Sequence, residues 1–169
     1  MTDGLNAGAA GLDTGAAGLD AGPGGRRHTY LCPMRWSDMD AQGHVNNSAF
    51  FVYLEQARID LFFDLAGTEG IDSLARGVVV ARHEIDYRRP VLYSARPLRI
   101  ELWCSHIGGA SFTVDYALYD DSGNGAGPAP GPVAVQARTR CVPYHLAAGR
   151  ARRLEPAERE FLARYLGQA

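Results

Sequence analysis

This 169-residue sequence contains no lysine, so all 17 of its basic residues are arginine. An all-arginine set of cations is typical of a high-GC coding bias. The 19 acidic residues bring the formal net charge to -2, so the chain lacks the basic excess that marks nucleic-acid-binding domains. We therefore expect no nucleic-acid partner.

Cysteines and long apolar runs are also scarce. Cys32, Cys104 and Cys141 are odd in number and widely spaced, which argues against a disulfide framework and a Cys-x-x-Cys zinc site. We expect no metal, buried thiols at Cys104 and Cys141, and the reducing setting of a cytoplasmic protein. No apolar run approaches the roughly 18 residues of a membrane span, and the N-terminus lacks the pattern of a signal peptide.

Composition divides the chain into three parts. Residues 1–27 carry two copies of Gly-Ala-Ala-Gly-Leu-Asp and are predicted to form a disordered tail, because such a segment cannot bury a core. Residues 28–145 are predicted to form one domain. Residues 146–169 form a C-terminal extension with a short amphipathic helix at 156–166, which has proline in its first turn.

The apolar segment 47–66 predicts a helix that is hydrophobic around about two thirds of its circumference. A helix of this kind is wrapped by other elements, so we expect Phe51, Val52 and Phe63 to be covered along with the main stripe. The predicted polar strip is narrow and consists of Tyr53, Gln56, Asp60 and Asp64.

Two charged residues fall inside the predicted apolar side of this helix. Glu55 and Arg58 stand at i,i+3 spacing, where opposite charges can pair. We expect a buried ion pair that ties the helix in place, because an unpaired buried charge is costly. Glu55 also stays open as a second candidate catalytic carboxylate.

The remaining pattern is alternating and predicts strands joined by short turns. One strand precedes the helix and four follow it, which predicts an α+β fold with one helix against an antiparallel sheet. Gly108-Gly109 indicates a hairpin, and the Gly/Pro-rich stretch 121–132 a longer loop. The predicted strands are 29–36, 78–87, 98–107, 111–119 and 133–142.

The strongest chemical signal lies just before the helix, in the run Asp38-Met39-Asp40-Ala41-Gln42-Gly43-His44-Val45-Asn46-Asn47. Gly43 permits a tight turn, and Asn46 or Asn47 can cap the helix. The free N–H groups and dipole of the first helical turn favour a developing oxyanion. A nearby aspartate could act as nucleophile or as general base.

This block resembles the hotdog-fold acyl-CoA thioesterases of the 4-hydroxybenzoyl-CoA thioesterase type. Tyr53-Leu54-Glu55-Gln56-Ala57-Arg58 and Tyr87-Arg88-Arg89-Pro90 add to the resemblance, which covers about residues 28–145. It implies a five-stranded antiparallel sheet wrapped around one long central helix. It also implies hydrolysis of acyl-CoA to free acid and coenzyme A without a cofactor, since coenzyme A is part of the substrate.

The resemblance assigns the chemistry to Asp40, with Asp38 in a supporting role. The backbone amide near Asn47 would polarise the carbonyl oxygen, and His44 would orient Asp40, bind substrate or stabilise the loop. Some relatives have a tyrosine at the position of Trp36 and a histidine at that of Asn47. The predicted substrate-binding residues are Trp36, Gly43, Val45, Asn46, Glu55, Arg88 and Arg89.

Several alternatives stay open at this point. A hotdog hydratase or dehydratase would carry an Asp-x-Asn-Pro-x-His run, whereas Asp40 and His44 are four residues apart here. A non-catalytic acyl-CoA-binding protein is the third class. The family implies a homodimer or homotetramer with the site at the subunit interface. Arg150, Arg152 and Arg153 could contact coenzyme A phosphates or lie in solvent.

Overall fold

The computed structural model describes residues 25–121 and 131–167, which form a curled antiparallel sheet around a central helix. The strands are β1 (His28–Cys32), β2 (Val78–Tyr87), β3 (Leu98–Ile107), β4 (Phe112–Tyr119), β5 (Val133–His145) and β6 (Arg150–Ala151). They follow the order β1-β3-β4-β5-β2 in the sheet, and β6 pairs only with the end of β5. The predicted five-stranded α+β hotdog fold is therefore confirmed, with a two-residue strand in addition.

The central helix begins at Ala49, two residues later than predicted, and continues through three segments. An α-helix, Ala49–Ile59, passes into a π-helical stretch, Asp60–Leu65, and then into a last turn, Ala66–Thr68. The late start has a local cause, because Asn46 Oδ1 already accepts the Ser48 N–H at 2.9 Å. Asn46 therefore shapes the turn before the helix, and Ser48 occupies the cap position.

The core lies between one side of this helix and the concave face of the sheet. Leu54, Ala57 and Leu61 on the helix have no exposed surface, and alternate residues of β3 and β4 meet them. At about 25 cal/mol per Å² of apolar area removed from water, this contact is the main source of stability. The fully buried strand residues include Ile100, Leu102, Cys104, Phe112, Val114 and Leu118.

The other side of the helix differs from the prediction. Tyr53 was expected on the polar strip but is buried, with 2% of its surface exposed. Phe51, Val52 and Phe63 were expected to be covered but are 42%, 38% and 46% exposed. The sheet of this chain covers only one side of the helix, so these three apolar residues are left without cover by the described residues.

The predicted ion pair between Glu55 and Arg58 is wrong. Glu55 is exposed, whereas Arg58 is buried and donates to the Tyr116 hydroxyl at 3.2 Å. Within residues 25–121 and 131–167, no ion pair joins the two. Arg58 lies at the margin between helix and sheet and finds a neutral acceptor there, so the two charges do not meet.

The chain ends of the domain are held by backbone pairing. The C-terminal helix (Pro156–Ala163) is three residues shorter than predicted. After it, Tyr165 O accepts the Cys104 N–H, and the Gly167 N–H donates to Cys104 O, each at 2.8 Å. Arg26 donates to Arg164 O at 3.2 Å. This C-terminal segment covers the edge of β3 that β1 leaves unpaired.

Three further predictions can be placed. β1 ends at Cys32, short of the predicted residue 36, because Pro33 follows and the chain then enters a 3₁₀ turn, Trp36–Asp38. Residues 1–24 of the predicted tail and residues 122–130 of the predicted loop lie outside the described residues. None of the described helices is long and apolar enough to cross a membrane.

The three thiols are free and buried, as predicted for Cys104 and Cys141, and Cys32 is buried as well. Burial raises the pKa of Cys104 and of Cys141 to about 12, and that of Cys32 to about 11. Thiols with such pKa values are inert at neutral pH, because the reactive thiolate is scarce.

Candidate active site

The Asp40 turn, residues 39–45, is a tight hairpin placed just before the central helix. Met39 and Val45 pair as an antiparallel bridge, and Asp40 N–H donates to His44 O at 2.8 Å. Gly43 closes the turn with φ of +75° and donates to Asp40 O at 3.0 Å. That φ is the left-handed region that glycine enters without strain, so the predicted role of Gly43 in the turn is present.

The Asp40 carboxylate is half-buried and held by backbone groups of its own turn. Its Oδ1 accepts the N–H of Gln42 at 2.9 Å and that of His44 at 3.1 Å. The Gln42 side-chain amide, turned with its nitrogen toward Asp40, reaches Oδ2 at 3.1 Å. No cation pairs with Asp40 among the described residues, so one oxygen is fixed while the other has only a neutral neighbour.

His44 contacts Asp40 through its backbone and not through its ring. Its N–H donates to the carboxylate and its carbonyl accepts the Asp40 N–H. The imidazole forms no hydrogen bond with any residue that the structure describes. These contacts belong to the backbone, so the three roles considered for the His44 side chain stay predictions.

The segment leading into the helix leaves one amide free. Val45 donates to Val91 O and Asn46 donates to Asp38 O, both at 2.8 Å. Asn47 N–H has no acceptor within the described ranges, and Asn47 is exposed. Its carbonyl accepts the Tyr87 hydroxyl at 3.1 Å. An unpaired N–H beside a helix N-terminus is suited to a partial negative charge.

Asp38 lies beneath the Asp40 turn and is almost fully buried, with 8% of its surface exposed. Its Oδ2 accepts the Tyr53 hydroxyl at 2.7 Å, and Arg35 donates from Nε at 3.1 Å and from Nη2 at 3.0 Å. Burial raises the pKa of Asp38, but the hydrogen bonds from Arg35 and Tyr53 outweigh it and lower the pKa overall. Asp38 is therefore ionised and fully engaged.

Four of the other predicted binding residues, together with Val45, form no hydrogen bond or ion pair with Asp40 among the described residues. The four are Trp36, Glu55, Arg88 and Arg89. Trp36 is 77% exposed, and Val45, the last residue of the Asp40 turn, is buried. Arg88 and Arg89 follow β2 with both N–H groups donating to Ala134 O, at 2.9 and 3.1 Å, and with exposed side chains. Glu55 is exposed on the helix.

The three C-terminal arginines have different surroundings. Arg152 is engaged in a bidentate pair with Glu158, with N–O distances of 2.7 and 2.6 Å. Arg150 and Arg153 are exposed. The described residues include no group of three or more His, Cys, Asp or Glu side chains arranged to hold a metal.

Tyr53 and Tyr87 were missed as site residues. Both hydroxyls bond to the segment 38–47 around Asp40. Tyr53 lies next to the apolar stripe of a helix, and a buried tyrosine hydroxyl usually has a partner. That signal was available, but it could not identify Asp38 as the partner.

Comparison with known families identifies the chain. Residues 34–164 match the model of the thioesterase-like superfamily, a span that includes the Asp40 turn, the central helix and all but the first of the long strands. The protein belongs to the thioesterase-like superfamily. This membership supports thioester hydrolysis as the general chemistry of the protein.

Solved structures share the fold, and one curated protein shares part of the sequence. A thioesterase from Thermus thermophilus, complexed with coenzyme A and Zn, is 28% identical, with a TM-score of 0.63 over 79% of this chain and 90% of that one. A predicted thioesterase from Bacillus stearothermophilus, 24% identical, shares the fold with a TM-score of 0.69 over 85% and 98% of the chains. The uncharacterised Bacillus subtilis protein YsmA is 35% identical over 83 residues, 49% of this chain, and the match spans 54% of YsmA.

Proposed function

We propose that this thioesterase-like protein hydrolyses acyl-CoA thioesters to the free acid and coenzyme A. Asp40 acts as nucleophile or general base, and the Asn47 N–H polarises the thioester carbonyl. One observation carries the proposal. The same short segment holds a carboxylate anchored through one oxygen and, at the helix N-terminus, a backbone N–H that no described residue accepts.

Each route places specific demands on these groups. If Asp40 attacks, its oxygen bonds to the carbonyl carbon, the C–S bond breaks and a proton from water neutralises the thiolate, after which water hydrolyses the anhydride. If Asp40 is a base, it takes a proton from the water that attacks, and the thiolate leaves and is protonated. In both routes the carbonyl oxygen becomes negative, and one well-placed donor such as Asn47 N–H lowers the barrier by about 3 kcal/mol.

Coenzyme A is the proposed leaving group for two reasons. The 28% identical Thermus thioesterase was solved with coenzyme A bound. Arg88, Arg89, Arg150 and Arg153 present exposed guanidinium groups, which bind phosphates well. Arg152 is not available for this, because Glu158 holds it.

The decisive experiment measures thiol release from a panel of short, long and aromatic acyl-CoAs. Asp40→Asn keeps an oxygen that can accept the two backbone N–H groups, so the turn survives while the charge is lost. We expect kcat to fall by about a hundredfold or more with a smaller change in KM. Asp72→Asn, at an exposed carboxylate on another helix, is the matched control and should leave kcat unchanged.

The alternatives give different results in the same assay. If thiol is released only from acyl-carrier-protein thioesters, the substrate carrier is acyl carrier protein and not coenzyme A. Hydration of an enoyl-CoA without thiol release would indicate a hydratase, and binding without turnover a sensor. An active Asp40→Asn variant would remove Asp40 from the mechanism.

We also propose that the protein is a homo-oligomer in which a second copy pairs along β2. This ten-residue strand ends the sheet, and no described strand pairs with its outer edge. Beside it lies the β2–helix surface, four exposed apolar residues: Phe51, Val52, Val80 and Tyr87. The rings of Phe51 and His83 are 5.3 Å apart, so strand and helix contribute to one surface.

The proposed site borders this surface, since Tyr87 is both the last residue of β2 and the donor to Asn47 O. A charge in the centre of such an interface is expected to dissociate the oligomer. Val52→Asp should reduce the mass in light scattering to that of one chain. Leu146→Asp, at an apolar residue that is 67% exposed elsewhere, is the control. A wild-type protein that is already monomeric would refute the proposal.

A further inference from the structure

The buried contact between Tyr53 and Asp38 joins the two parts of the proposed site. Tyr53 lies in the second turn of the central helix, and Asp38 lies two residues before Asp40 in the chain. The 2.7 Å hydrogen bond between them is enclosed, because Tyr53 is 2% and Asp38 8% exposed. The helix is thereby fastened to the base of the Asp40 turn.

A second bond from Asp38 reaches the amide side of the site. Asp38 O accepts the Asn46 N–H at 2.8 Å, and Asn46 in turn accepts Ser48 N–H through its side chain and Ala49 N–H through its carbonyl, both at 2.9 Å. These bonds fix the peptide planes on both sides of Asn47. The Asp38 carbonyl thus holds the residue that precedes the Asn47 N–H.

The bonds close a ring. From Tyr53 the path runs through Asp38 to Asn46 and returns through Ala49 along the helix to Tyr53. Asp40 and Asn47 are attached to this ring at two points. Their separation depends on the ring's integrity, whichever chemical role Asp40 takes.

The energetics favour a positioning role over a purely stabilising one. Bringing a carboxylate and a hydroxyl out of water is costly, and well-packed apolar residues often give equal or greater stability at such a place. A buried polar pair instead demands one geometry, because any other leaves a charge unpaired. Arg35 supplies the neutralising charge at the rim.

We propose that Tyr53 and Asp38 are positioning residues that hold the Asp40 carboxylate and the Asn47 amide at the separation needed for the reaction. The inference rests on the proposed function. Tyr53 touches no reacting atom in this scheme and acts through Asp38. Its loss therefore lowers the rate of the chemical step and leaves substrate affinity nearly intact.

The test compares two conservative changes of buried tyrosines. Tyr53→Phe keeps the ring, which packs edge-on against Phe50 with centroids 5.9 Å apart, and removes the hydroxyl. Tyr165→Phe is the matched control, since Tyr165 is fully buried and its hydroxyl has no partner among the described residues. Tyr165 contacts β3 through its backbone and takes no part in the ring of bonds.

We expect Tyr53→Phe to lower kcat by about ten- to a hundredfold while KM changes by less than about threefold. Hydrogen–deuterium exchange of peptides covering residues 38–48 should become faster in Tyr53→Phe and stay unchanged in Tyr165→Phe. Asp38→Asn, which keeps an acceptor for the tyrosine hydroxyl but loses the charge, should loosen the same peptides. It also provides a second variant if Tyr53→Phe folds poorly.

The kinetic and exchange measurements separate this inference from the proposed function. An unchanged kcat in a folded Tyr53→Phe variant, or a change confined to KM, would overturn the positioning role. Unchanged exchange of residues 38–48 would also overturn it. If the wild-type protein hydrolyses no thioester, the proposed function fails, and the exchange data alone decide whether the ring holds the segment.

Discussion

Two carboxylates, Asp40 and Glu158, show how differently one chain can hold the same group. Glu158 has no exposed surface and meets a bidentate Arg152 at 2.7 and 2.6 Å and the Glu155 N–H at 2.7 Å. Asp40 is half-buried, without a cation among the described residues, and held by backbone N–H groups of its own turn. A carboxylate neutralised on all sides serves the fold, whereas one without a cation stays available for chemistry.

The surroundings of Glu158 explain what it stabilises. Arg152 also donates to Ser73 O at 3.2 Å, which joins the C-terminal extension to the short helix Asp72–Arg76. Glu158 Oε2 accepts the N–H of Glu155, the residue that caps the C-terminal helix. The pair thus links the C-terminal extension, including the start of its helix, to the short helix. The C-terminal extension is an integral part of the domain.

The largest effect that would test this contrast is on stability. Glu158→Gln removes the charge but leaves the half-buried Arg152 against a neutral, fully buried amide, and we expect the free energy of unfolding to fall by about 3 kcal/mol. Urea denaturation measures this directly. Glu160→Gln, at an exposed position on the same helix, should change it by less than about 0.5 kcal/mol. Equal stabilities of the two variants would contradict the assigned role.

The second effect is the loss of folding stability at acidic pH. Burial raises the pKa of Glu158, but hydrogen bonds from Arg152, Glu155 and Ser73 outweigh it, so the folded pKa lies below the ordinary value, as it does for Asp38. A depressed folded pKa stabilises above the unfolded pKa, and this stability is lost as the pH falls through the folded pKa.

We therefore expect Tm to be highest above about pH 5 and to fall as acid protonates these carboxyls. Calorimetry between neutral and acidic pH checks the sign. Glu158→Gln should lessen this loss of stability at acidic pH, since it removes one of the titrating groups. A Tm that rises with acid would contradict the assignment.

The smallest effect concerns the two tyrosines as structural groups. Tyr165→Phe removes a buried hydroxyl that has no described partner, so we expect unchanged stability or a gain of up to about 1 kcal/mol. Tyr53→Phe removes a buried hydrogen bond to a charged acceptor, with an expected loss of about 1 to 3 kcal/mol. Thermal denaturation of the two variants shows whether loss of the hydroxyl lowers the stability at Tyr53 and leaves it unchanged or raises it at Tyr165.

Much of the fold could be predicted because it follows local patterns. Alternation located β2, β3 and β4 to within a residue, and the apolar run located the central helix. The faces of that helix could not be predicted, because it is apolar on most sides and the pattern does not say which side the sheet covers. For this reason Tyr53 was predicted to be exposed but is buried, and Phe51 was predicted to be buried but is exposed.

The site divides in the same way. The spacing of Asp40, Gly43 and Asn47 indicated a turn followed by a helix N-terminus, since these are local backbone requirements. By contrast, Arg58 bonds to Tyr116, which lies 58 residues away in the chain, and Asp38 bonds to Tyr53, which lies 15 residues away. No spacing rule reaches that far.

By itself, the sequence determined the order of strands and helix, the Asp40 turn and the family, because each depends on residues close together in the chain. Only the tertiary structure decided which side of the helix is covered, that Arg152 belongs to Glu158, and that Tyr53 fastens the helix beneath Asp40. These depend on the curvature of the sheet and on contacts between distant residues, which form only once the chain has folded.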